Sequence, residues 1–565
     1  MGEAILQKQV SLTIKNSDGT YIWEKSYPKG INFKAEMISQ PLFHILDQTV
    51  RKYPQNISLS FLGHEYTYQQ LGILTDKIAK GLQDLGIGKG RKVGLFMPNS
   101  AYSVAFYYGI LKSGATVVNY NPLYAERDLK NQIEDSETDI MVCLDVENIF
   151  NKLDALLPQT RLEKIILCPM QTSLLNSHKT DGFPADETHL WFDDLIKNDG
   201  NFVPAIINPD DDIAVLQYTG GTTGVPKGAM LTHSNLYANT IQAAMWWHTA
   251  EEGKDAQVAA LPFFHVFAMT VVMNMSIIKG LKIIIMPQFD LKEALTLIHE
   301  QKPQFFAAVP AIYNAMGNYP SITNYDFSSL KFCLSGGAPL PGDVKRTFET
   351  NTKANRVAEG YGLTECSPVA TCNPLSGTMK IGSIGLPIPG TVVEIIDPED
   401  KSTVLPLGEK GEICISGPQV MKGYYKRPEA TTETIINDRL HTGDIGYIDD
   451  EGFIYIVDRI KDLILVRGYN VYPRHVEEAI YLHPSVAECL VAGVPDKGRG
   501  EAVHAWVKPM DGHDLTASEL KTFLKDKVST IEMPRKIIIR EEALPKTAVG
   551  KLSRKDLLEQ EGIKK

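Results

Sequence analysis

A short loop between residues 218 and 228 has the residue types that bind phosphate groups. It reads Tyr-Thr-Gly-Gly-Thr-Thr-Gly-Val-Pro-Lys-Gly and follows the apolar run 213–217, which predicts a buried strand. Glycines let backbone N–H groups approach phosphate oxygens, and the hydroxyls and the lysine add donors and charge. It is not a Walker loop, because no Lys-Ser or Lys-Thr pair follows the second glycine at the required spacing. The residues predicted to bind nucleotide here are Tyr218, Thr219, Gly220, Gly221, Thr222, Thr223, Gly224 and Lys227. The alternative is a Gly/Thr-rich surface turn.

A second candidate segment combines small residues with an aromatic ring, a hydroxyl and a carboxylate. The small residues are Gly337, Ala338 and Pro339, and the stretch Glu359-Gly360-Tyr361-Gly362-Leu363-Thr364-Glu365 follows them. Tyr361 is suited to stack on a purine, and Thr364 can hydrogen-bond a phosphate. Glu365 offers the hard oxygen that Mg²⁺ prefers beside phosphates. Taken alone, the stretch is equally typical of a turn before a capped helix.

A third segment, His441-Thr442-Gly443-Asp444, carries a carboxylate that can accept hydrogen bonds from the two hydroxyls of a ribose. Arg459 lies fifteen residues later and can donate to the same sugar. Without the other segments, a Gly-Asp pair is typical of an ordinary turn. Asp444 and Arg459 are therefore predicted as ribose ligands only in combination with the phosphate loop.

Two further residues stand in unusual surroundings. His265 lies among aromatic residues in Leu-Pro-Phe-Phe-His-Val-Phe, which fits either a packed core histidine or the entrance of an apolar pocket for an acid. Lys551 lies in Pro-Lys-Thr-Ala-Val-Gly-Lys near the C-terminus, a pattern that is usually a solvated turn.

Composition bounds the class of protein. The 565 residues suggest two to four structural units at roughly 150 residues per domain. A net charge of −11 argues against a general nucleic-acid binder. Seven scattered cysteines without a C-x-x-C pair indicate reduced thiols in a cytoplasmic protein. Lysines interrupt both long apolar segments, so no membrane span is predicted, although contact with a membrane face is compatible with the sequence.

The elements that must position these residues alternate between strands and helices from about residue 41 to 286. This rhythm predicts βαβ units and mixed or parallel sheets covered on both faces. Beyond residue 385, short strands separated by Gly, Pro and Asp predict a small distorted β-barrel. The last hundred residues predict a separate α+β unit, with Thr516 and Glu519 opening a helix. A charged cluster at 458–462 marks the boundary.

In their order and spacing the five segments resemble the adenylate-forming (AMP-binding) superfamily over residues 40 to 560. The resemblance extends to Gly86–Gly90, Ile384–Pro387 and Gly417–Tyr425. Within the superfamily the chain is most similar to bacterial long-chain fatty-acid CoA ligases, through Asn119–Tyr124 and Leu216–Gly228.

This resemblance implies an α/β fold: a large N-terminal domain of two mixed αβ sheet subdomains plus a small distorted β-barrel, and a small mobile α+β C-terminal domain. The implied division is an N-terminal extension at 1–40, the adenylation domain at 41–458, a hinge at 459–462 and the C-terminal domain at 463–565. The hinge residue would be Lys461, and Gly468 would let the pantetheine arm of CoA pass.

The resemblance also implies chemical roles. Lys551, Thr364, Glu365 and His265 would be catalytic, with Glu365 binding Mg²⁺, and Glu359 would accept from the adenine amino group. The implied reaction joins a long-chain fatty acid to AMP, releases pyrophosphate and passes the acyl group to CoA. Medium-chain or aryl acid ligation, or donation to a carrier protein, are the alternatives. A luciferase-like oxygenase and a regulatory nucleotide-binding module are less compatible with the chain.

One position departs from the pattern of some long-chain relatives. Met269 stands where those relatives have a gating tryptophan, which puts gating of the acyl tunnel by a single aromatic residue in doubt. The expected partners are fatty acid, ATP and CoA, with no nucleic acid. Peripheral contact with the inner membrane face and a homodimer are compatible with the sequence.

Overall fold

The structure, a computed structural model, describes residues 14–219, 226–354, 356–467, 469–496, 500–510, 512–547 and 551–563. The strands of the first part of the chain are β1 (Ile57–Phe61), β2 (His64–Thr67), β3 (Lys92–Phe96), β4 (Thr116–Asn119), β5 (Ile140–Leu144), β6 (Lys164–Cys168), β7 (His189–Trp191), β8 (Ile213–Thr219), β9 (Lys227–Thr232), β10 (Ala256–Ala259), β11 (Lys282–Ile285), β12 (Phe305–Ala308), β13 (Phe332–Ser335), β14 (Val357–Gly362), β15 (Val369–Cys372) and β16 (Leu386–Pro387).

Side chains cap the free backbone N–H groups at the start of several helices of this part. Thr67, Ser100 and Thr232 each accept from the N–H three residues later, at the start of the second, third and seventh helices. The helices are α1 (His44–Lys52), α2 (Tyr68–Asp84), α3 (Ala101–Ser113), α4 (Glu126–Ser136), α5 (Glu147–Leu156), α6 (Phe192–Leu195), α7 (His233–Trp246), α8 (Met275–Ile278), α9 (Leu291–Gln301), α10 (Pro310–Gly317) and α11 (Gly342–Thr352). A π-helix, Ala268–Asn274, runs directly into α8.

Two large sheets carry the site. One has seven strands in the order β7-β6-β5-β3-β4-β8-β9, parallel except for the β8–β9 hairpin. The other has nine strands in the order β16-β15-β14-β13-β12-β10-β11-β1-β2, parallel from β14 to β1. Because neighbouring parallel strands end at one edge, the loops after β13 and β14 lie side by side.

Helix α3 is buried along its whole length and contacts strands of both sheets. Burial on every side explains why the segment 101–118 is mostly apolar, with Lys112 as the charged residue that interrupts it. No helix within the described ranges has the length and apolar character to cross a membrane. All seven cysteines are free and buried.

The N-terminal segment packs onto the large domain from residue 14 onward. Trp23 is fully buried, stacks on Tyr21 and meets Phe33 edge to face. The Tyr27 hydroxyl donates to the carbonyl of Pro387, and Gly390 N–H donates to Phe33 O. The described part of the predicted 1–40 extension is thus continuous with the core of the large domain.

The predicted barrel strands form a five-stranded antiparallel sheet in the order β17-β18-β20-β19, with β21 paired to β20. Its elements are β17 (Val392–Ile396), β18 (Gly411–Ser416), α12 (Pro428–Thr434), β19 (Ile435–Ile436), β20 (Arg439–Ile448) and β21 (Ile454–Arg459). A 3-10 turn, Ile460–Asp462, then leads away from this sheet. The predicted hinge at 459–462 lies on this connection.

The C-terminal residues form their own sheet, β23-β22-β25-β24 with β26 on β25. Its elements are β22 (Ile464–Val466), β23 (Tyr469–Val471), α13 (Pro473–Tyr481), β24 (Val486–Asp496), β25 (Gly500–Pro509), α14 (Ala517–Phe523), β26 (Lys536–Ile539) and α15 (Arg554–Gln560). Thr516 caps α14 by accepting from Glu519 N–H, as predicted. The α/β class with an added α+β domain is confirmed.

Candidate active site

The phosphate loop connects the two strands of the β8–β9 hairpin. Thr219 is the last residue of β8 and pairs with Lys227, the first residue of β9. The Lys227 ammonium lies 4.9 Å from the centre of the Tyr424 ring. Gly220, Gly221, Thr222, Thr223 and Gly224 lie outside the described residues. The two ends of the predicted loop are therefore held together by the sheet.

Tyr218 lies inside β8 rather than in the loop. Its ring is buried among core residues such as Leu216 and Tyr120, and its hydroxyl donates to Asp135 Oδ2 at 2.6 Å. Burial and the neighbouring carboxylate raise the pKa of Tyr218. Because strand residues alternate in direction, Thr219 points the other way. The Tyr218 side chain therefore packs in the core of the large domain.

Glu359 and the small-residue turn lie at adjoining strand ends. Glu359 on β14 pairs with Ser335, the last residue of β13, which is followed within four residues by Gly337, Ala338 and Pro339. The Glu359 carboxylate accepts from Leu340 N–H at 3.0 Å. Burial raises the pKa of Glu359 to about 7. The turn and the β14 residues Gly360, Tyr361 and Gly362 thus form one surface.

Tyr361, Asp444 and Arg459 form a hydrogen-bonded cluster. The Tyr361 hydroxyl donates to Asp444 Oδ2 at 2.6 Å, and Arg459 Nε donates to Asp444 Oδ1 at 2.9 Å. Asp444 is buried, and its charge raises the pKa of Arg459. The residues predicted to bind adenine and those predicted to bind ribose are therefore in direct contact.

Thr364 and Glu365 lie on the 3-10 turn directly after β14. The Tyr424 hydroxyl donates to Glu365 Oε1 at 2.6 Å, and Met421 N–H donates to the Glu365 carbonyl. The half-buried Glu365 carboxylate and the neighbouring Thr364 hydroxyl supply oxygen ligands of the kind that Mg²⁺ binds together with phosphates. The residues present fit the predicted ion.

Lys551 belongs to the C-terminal domain and lies near Arg459, Asp444 and Glu365 of the large domain. It lines a small pocket with His265, Gly337, Leu261, Pro262, Phe267 and Val309. Gly337 has φ +81°, and a Cβ placed there would lie 3.3 Å from Lys551 Cε, so a side chain would press on the lysine. Burial lowers the pKa of Lys551 to about 8, and Arg459 acts in the same direction, whereas Asp444 and Glu365 oppose it. Burial, with Lys551 nearby, lowers the pKa of His265 to about 3.

The predicted hinge turn is hydrogen-bonded to the C-terminal domain. Arg554 at the start of α15 donates from Nη1 to Asp462 at 2.8 Å and from Nη2 to Glu477 at 2.6 Å. Lys461 is exposed on the 3-10 turn Ile460–Asp462. Gly468 lies outside the described residues.

Sequence reasoning did not single out Tyr424 or Arg554. Tyr424 was only part of the Gly417–Tyr425 stretch, although its position one residue after a glycine resembles the placement of Tyr361. Arg554 follows Lys551 by three residues, and no local pattern reveals its distant partners Asp462 and Glu477.

Flexible and polar residues lie near His265, at the predicted entrance of an acid pocket. Met269 is fully buried on the π-helix, and its sulfur lies 3.4 Å from Asn119 Nδ2. Asn119 also donates to Gln217, which donates to the carbonyl of Phe264, beside His265. A methionine can change its side-chain conformation more easily than an aromatic residue.

Family models match both parts of the chain. Residues 46–425 match the AMP-binding enzyme model, and residues 475–551 match the AMP-binding enzyme C-terminal domain. A long-chain-fatty-acid–CoA ligase of Bacillus subtilis (strain 168) is 41% identical over 555 residues, covering 95% of this chain and 98% of the relative. The ligase of the same name from Escherichia coli O6:H1 is 36% identical over 563 residues, covering 95% and 97%.

A solved structure has the same architecture. ATP-bound MatB from Rhodopseudomonas palustris superposes with a TM-score of 0.83 at 28% identity, covering 93% of this chain and 99% of that chain. The match spans the large domain and the C-terminal domain together. The chain thus belongs to the AMP-binding enzyme family of adenylate-forming enzymes.

Proposed function

We propose that the protein is an ATP-dependent long-chain fatty-acid CoA ligase. It joins the fatty acid to AMP with release of pyrophosphate, then transfers the acyl group to CoA, giving acyl-CoA and AMP. The observation that carries the proposal is that Lys551 lines one pocket with His265 and lies close enough to Asp444 and Arg459 for their charges to affect its pKa. The full-length similarity to ligases that are named for this substrate supports it.

The first step is limited by the approach of two anions. A carboxylate oxygen attacks the α-phosphorus of ATP, a new P–O bond forms, and the bond to the departing pyrophosphate breaks. An ammonium held beside both groups stabilises the charge that develops there, and water exclusion strengthens this effect. Lys551 is the residue in the pocket placed for that role, in its protonated form.

The nucleotide is held by the large domain. Asp444 accepts from the ribose hydroxyls, and Arg459 keeps the carboxylate oriented and donates to the same sugar. Adenine lies between Tyr361 and the turn at Gly337, Ala338 and Pro339. Glu359, whose pKa of about 7 leaves it partly protonated at neutral pH, faces the end of that turn.

The phosphate groups lie between the β8–β9 loop and the 3-10 turn after β14. Thr219, the glycines and Lys227 hold the β- and γ-phosphates, and Thr364 holds a phosphate oxygen. Glu365 with those phosphates would hold Mg²⁺, which when bound neutralises phosphate charge. Tyr424 holds the Glu365 carboxylate in place by its hydrogen bond and lies against the Lys227 ammonium.

The second step needs a different arrangement, because Lys551 occupies the pocket beside Gly337. The CoA sulfur attacks the acyl carbonyl, and the bond from that carbon to AMP breaks. Rotation of the C-terminal domain about Lys461 withdraws Lys551 and brings in the loop at Gly468. A hinge of a few residues between rigid units is the usual way to achieve such a motion.

The acyl chain is accommodated beyond His265, where the lining is apolar. Met269, in place of an aromatic gate, can move aside as a chain enters. Medium-chain acids, aryl acids and transfer to a carrier protein are the alternatives that a substrate panel decides. The cytoplasmic location, peripheral membrane contact and homodimer remain predictions.

The test is a two-part assay on the purified protein with magnesium and ATP. Acids from hexanoate to arachidate, with oleate and benzoate, are compared in exchange of labelled pyrophosphate into ATP and in CoA-dependent thioester formation. The proposal expects both signals, strongest with long-chain acids. Exchange without thioester formation would point to a carrier acceptor, and no exchange with any acid would overturn the proposal.

A further inference from the structure

Strand β20, which carries Asp444, has a shift of register where it pairs with β18. In the β18–β20 ladder, Glu412 pairs with Ile445, but Cys414 pairs with His441. Two steps along β18 therefore correspond to four steps along β20. The extra length is taken up by Thr442, Gly443 and Asp444, which lie opposite Ile413 alone. A bulge of this kind bends a strand and redirects its side chains, and bulges are common beside active sites.

Hydrogen bonds from β18 hold the bulge in shape. The two carboxylate oxygens of Glu412 accept separately: Oε1 from Gly443 N–H at 2.9 Å and Oε2 from His441 Nδ1 at 2.7 Å. The Thr442 hydroxyl donates to Ile413 O at 2.7 Å and accepts from Asp444 N–H at 3.1 Å. Thr442 and Gly443 are thus hydrogen-bonded directly to β18, and Asp444 is linked to it through Thr442.

The choice of a carboxylate at position 412 has a physical reason. Glu412 is only 4% exposed, and burial of a carboxylate is costly unless its oxygens are hydrogen-bonded. A carboxylate offers two acceptors, so it satisfies both donors at once. A glutamine of the same shape offers one acceptor and one donor group, and one of the two contacts would be lost.

Glu412, Cys414 and His441 also form a group with the residue types of a metal site. The geometry favours a hydrogen-bonded clamp instead. Ligand atoms of a tetrahedral zinc ion stand about 3.3 Å apart or more, given bonds of about 2.0–2.3 Å. The Glu412–His441 separation of 2.7 Å is that of a direct hydrogen bond, and the second oxygen is engaged by Gly443.

We propose that Glu412 is a positioning residue for ribose recognition. It holds the bulge at Gly443 and His441, and the bulge presents the Asp444 carboxylate to Tyr361, Arg459 and the sugar. Gly443 has φ +72°, a conformation that only glycine adopts readily, so the backbone relies on this external support. The inference rests on the proposed role of Asp444 in binding the ribose.

The experiment compares kcat/KM for ATP with that for 2′-deoxy-ATP and 3′-deoxy-ATP in the adenylation step. The wild-type protein is expected to prefer ATP on the order of 10- to 100-fold, the worth of a hydrogen bond to a charged group. Asp444→Asn should reduce this preference to a few-fold. Glu412→Gln should reduce it by a similar factor, and the double variant should lose little more, because both act on the same contact.

A matched control is Glu394→Gln. Glu394 lies on β17 of the same sheet and accepts from Arg439 Nε on β20 at 2.6 Å, but it does not touch the bulge. The same substitution there should leave the preference for ATP unchanged. A general weakening of the sheet would lower the unfolding temperature of both variants without altering selectivity between the sugars.

The outcomes distinguish the assignment of Asp444 to the ribose from the positioning role of Glu412. If Asp444→Asn keeps the full preference for ATP, the ribose assignment fails and the positioning role fails with it. If Asp444→Asn loses the preference and Glu412→Gln retains it, the positioning role alone is overturned. Should Glu412→Gln not fold, Thr442→Val removes another support of the bulge, and an unchanged preference in that variant contradicts the proposal equally.

Discussion

The two halves of the active site are supported in different ways. Tyr361, Glu359 and Asp444 belong to the large domain, where strand pairing and buried hydrogen bonds define their positions. Lys551 belongs to the C-terminal domain, which continues from the large domain through the turn Ile460–Asp462. The Lys551 side chain lies in the pocket next to Gly337. The residues proposed to hold the nucleotide are thus fixed within one domain, whereas the proposed catalytic lysine is contributed by the other.

Within the C-terminal domain, however, Arg554 connects the segment of Lys551 to the predicted hinge turn. Arg554 lies three residues later and binds Asp462 of the hinge turn, Glu477 of α13 and the carbonyl of Val491 on β24. Its two carboxylate partners raise the pKa of Arg554, although burial opposes them. Arg554 therefore links the predicted hinge turn to α13 and β24 of the C-terminal domain. We therefore expect movement of Lys551 relative to the large domain to occur at the connection 459–462.

Replacement of Lys551 should have the largest effect on the reaction. We expect Lys551→Ala to lower fatty-acid adenylation by about 10³-fold, since loss of one preorganised charge-stabilising group has effects of this size. Thioester formation from preformed acyl-adenylate should be nearly unchanged, because that step needs Lys551 withdrawn. Stopped-flow measurement of the two half-reactions checks this.

Lys546→Ala is the matched control for this prediction. Lys546 lies in the same segment, but its ammonium pairs with Glu488 inside the C-terminal domain at 2.6 Å. Its removal should leave both half-reactions within a few-fold of wild type. Equal losses in both half-reactions of Lys551→Ala would contradict the separation of the two steps.

Replacement of Arg554 tests the connection between hinge and lysine. Arg554→Met leaves Asp462 and Glu477 without their partner, and we expect the C-terminal domain to lose about 2–3 kcal/mol of stability. This is below the roughly 3–5 kcal/mol of a broken, fully buried pair, because all three side chains are partly exposed. Hydrogen exchange of β24 and β25 amides should increase accordingly, with the large domain unaffected. Arg540→Met, which loses a 3.3 Å contact to Glu561, is the control and should change exchange little.

The pH dependence of adenylation tests the charge of Lys551. With a pKa of about 8 in the free protein, the ammonium is present below that pH and is lost above it. We expect kcat/KM for adenylation to fall above about pH 8, approaching tenfold per pH unit, because this ratio reports the free enzyme. Bound phosphates favour the ammonium, so the fall in kcat should occur at higher pH.

Lys551→Arg provides the comparison for the pH profile. A guanidinium stays protonated throughout this range, so the variant should be slower but should not show the alkaline fall. An alkaline fall at the same pH in both proteins would assign it to another group.

Several parts of the fold and site follow from local patterns. The alternation of apolar strands and capped helices predicted the sheets, since burial and capping act over a few residues. The site segments could be located because phosphate, ribose and purine recognition each need particular residue types close together. The direction of Tyr218 could not be predicted so easily, because it depends on which face of β8 meets the core. Tyr424 and Glu412 were missed for a related reason: their partners Glu365 and Gly443 are distant in sequence.

By itself the sequence determined which side chains are available for the chemistry, their chain order and the α/β architecture, because these depend on composition and short-range periodicity. Only the tertiary structure decided that Lys551 lies beside His265 and Gly337, that Tyr361 and Arg459 share Asp444, and that a bulge held by Glu412 directs that carboxylate. These contacts join residues that are from fifteen positions apart, for Asp444 and Arg459, to more than two hundred, for Gly337 and Lys551. They depend on how the sheets and domains pack, which no local pattern contains.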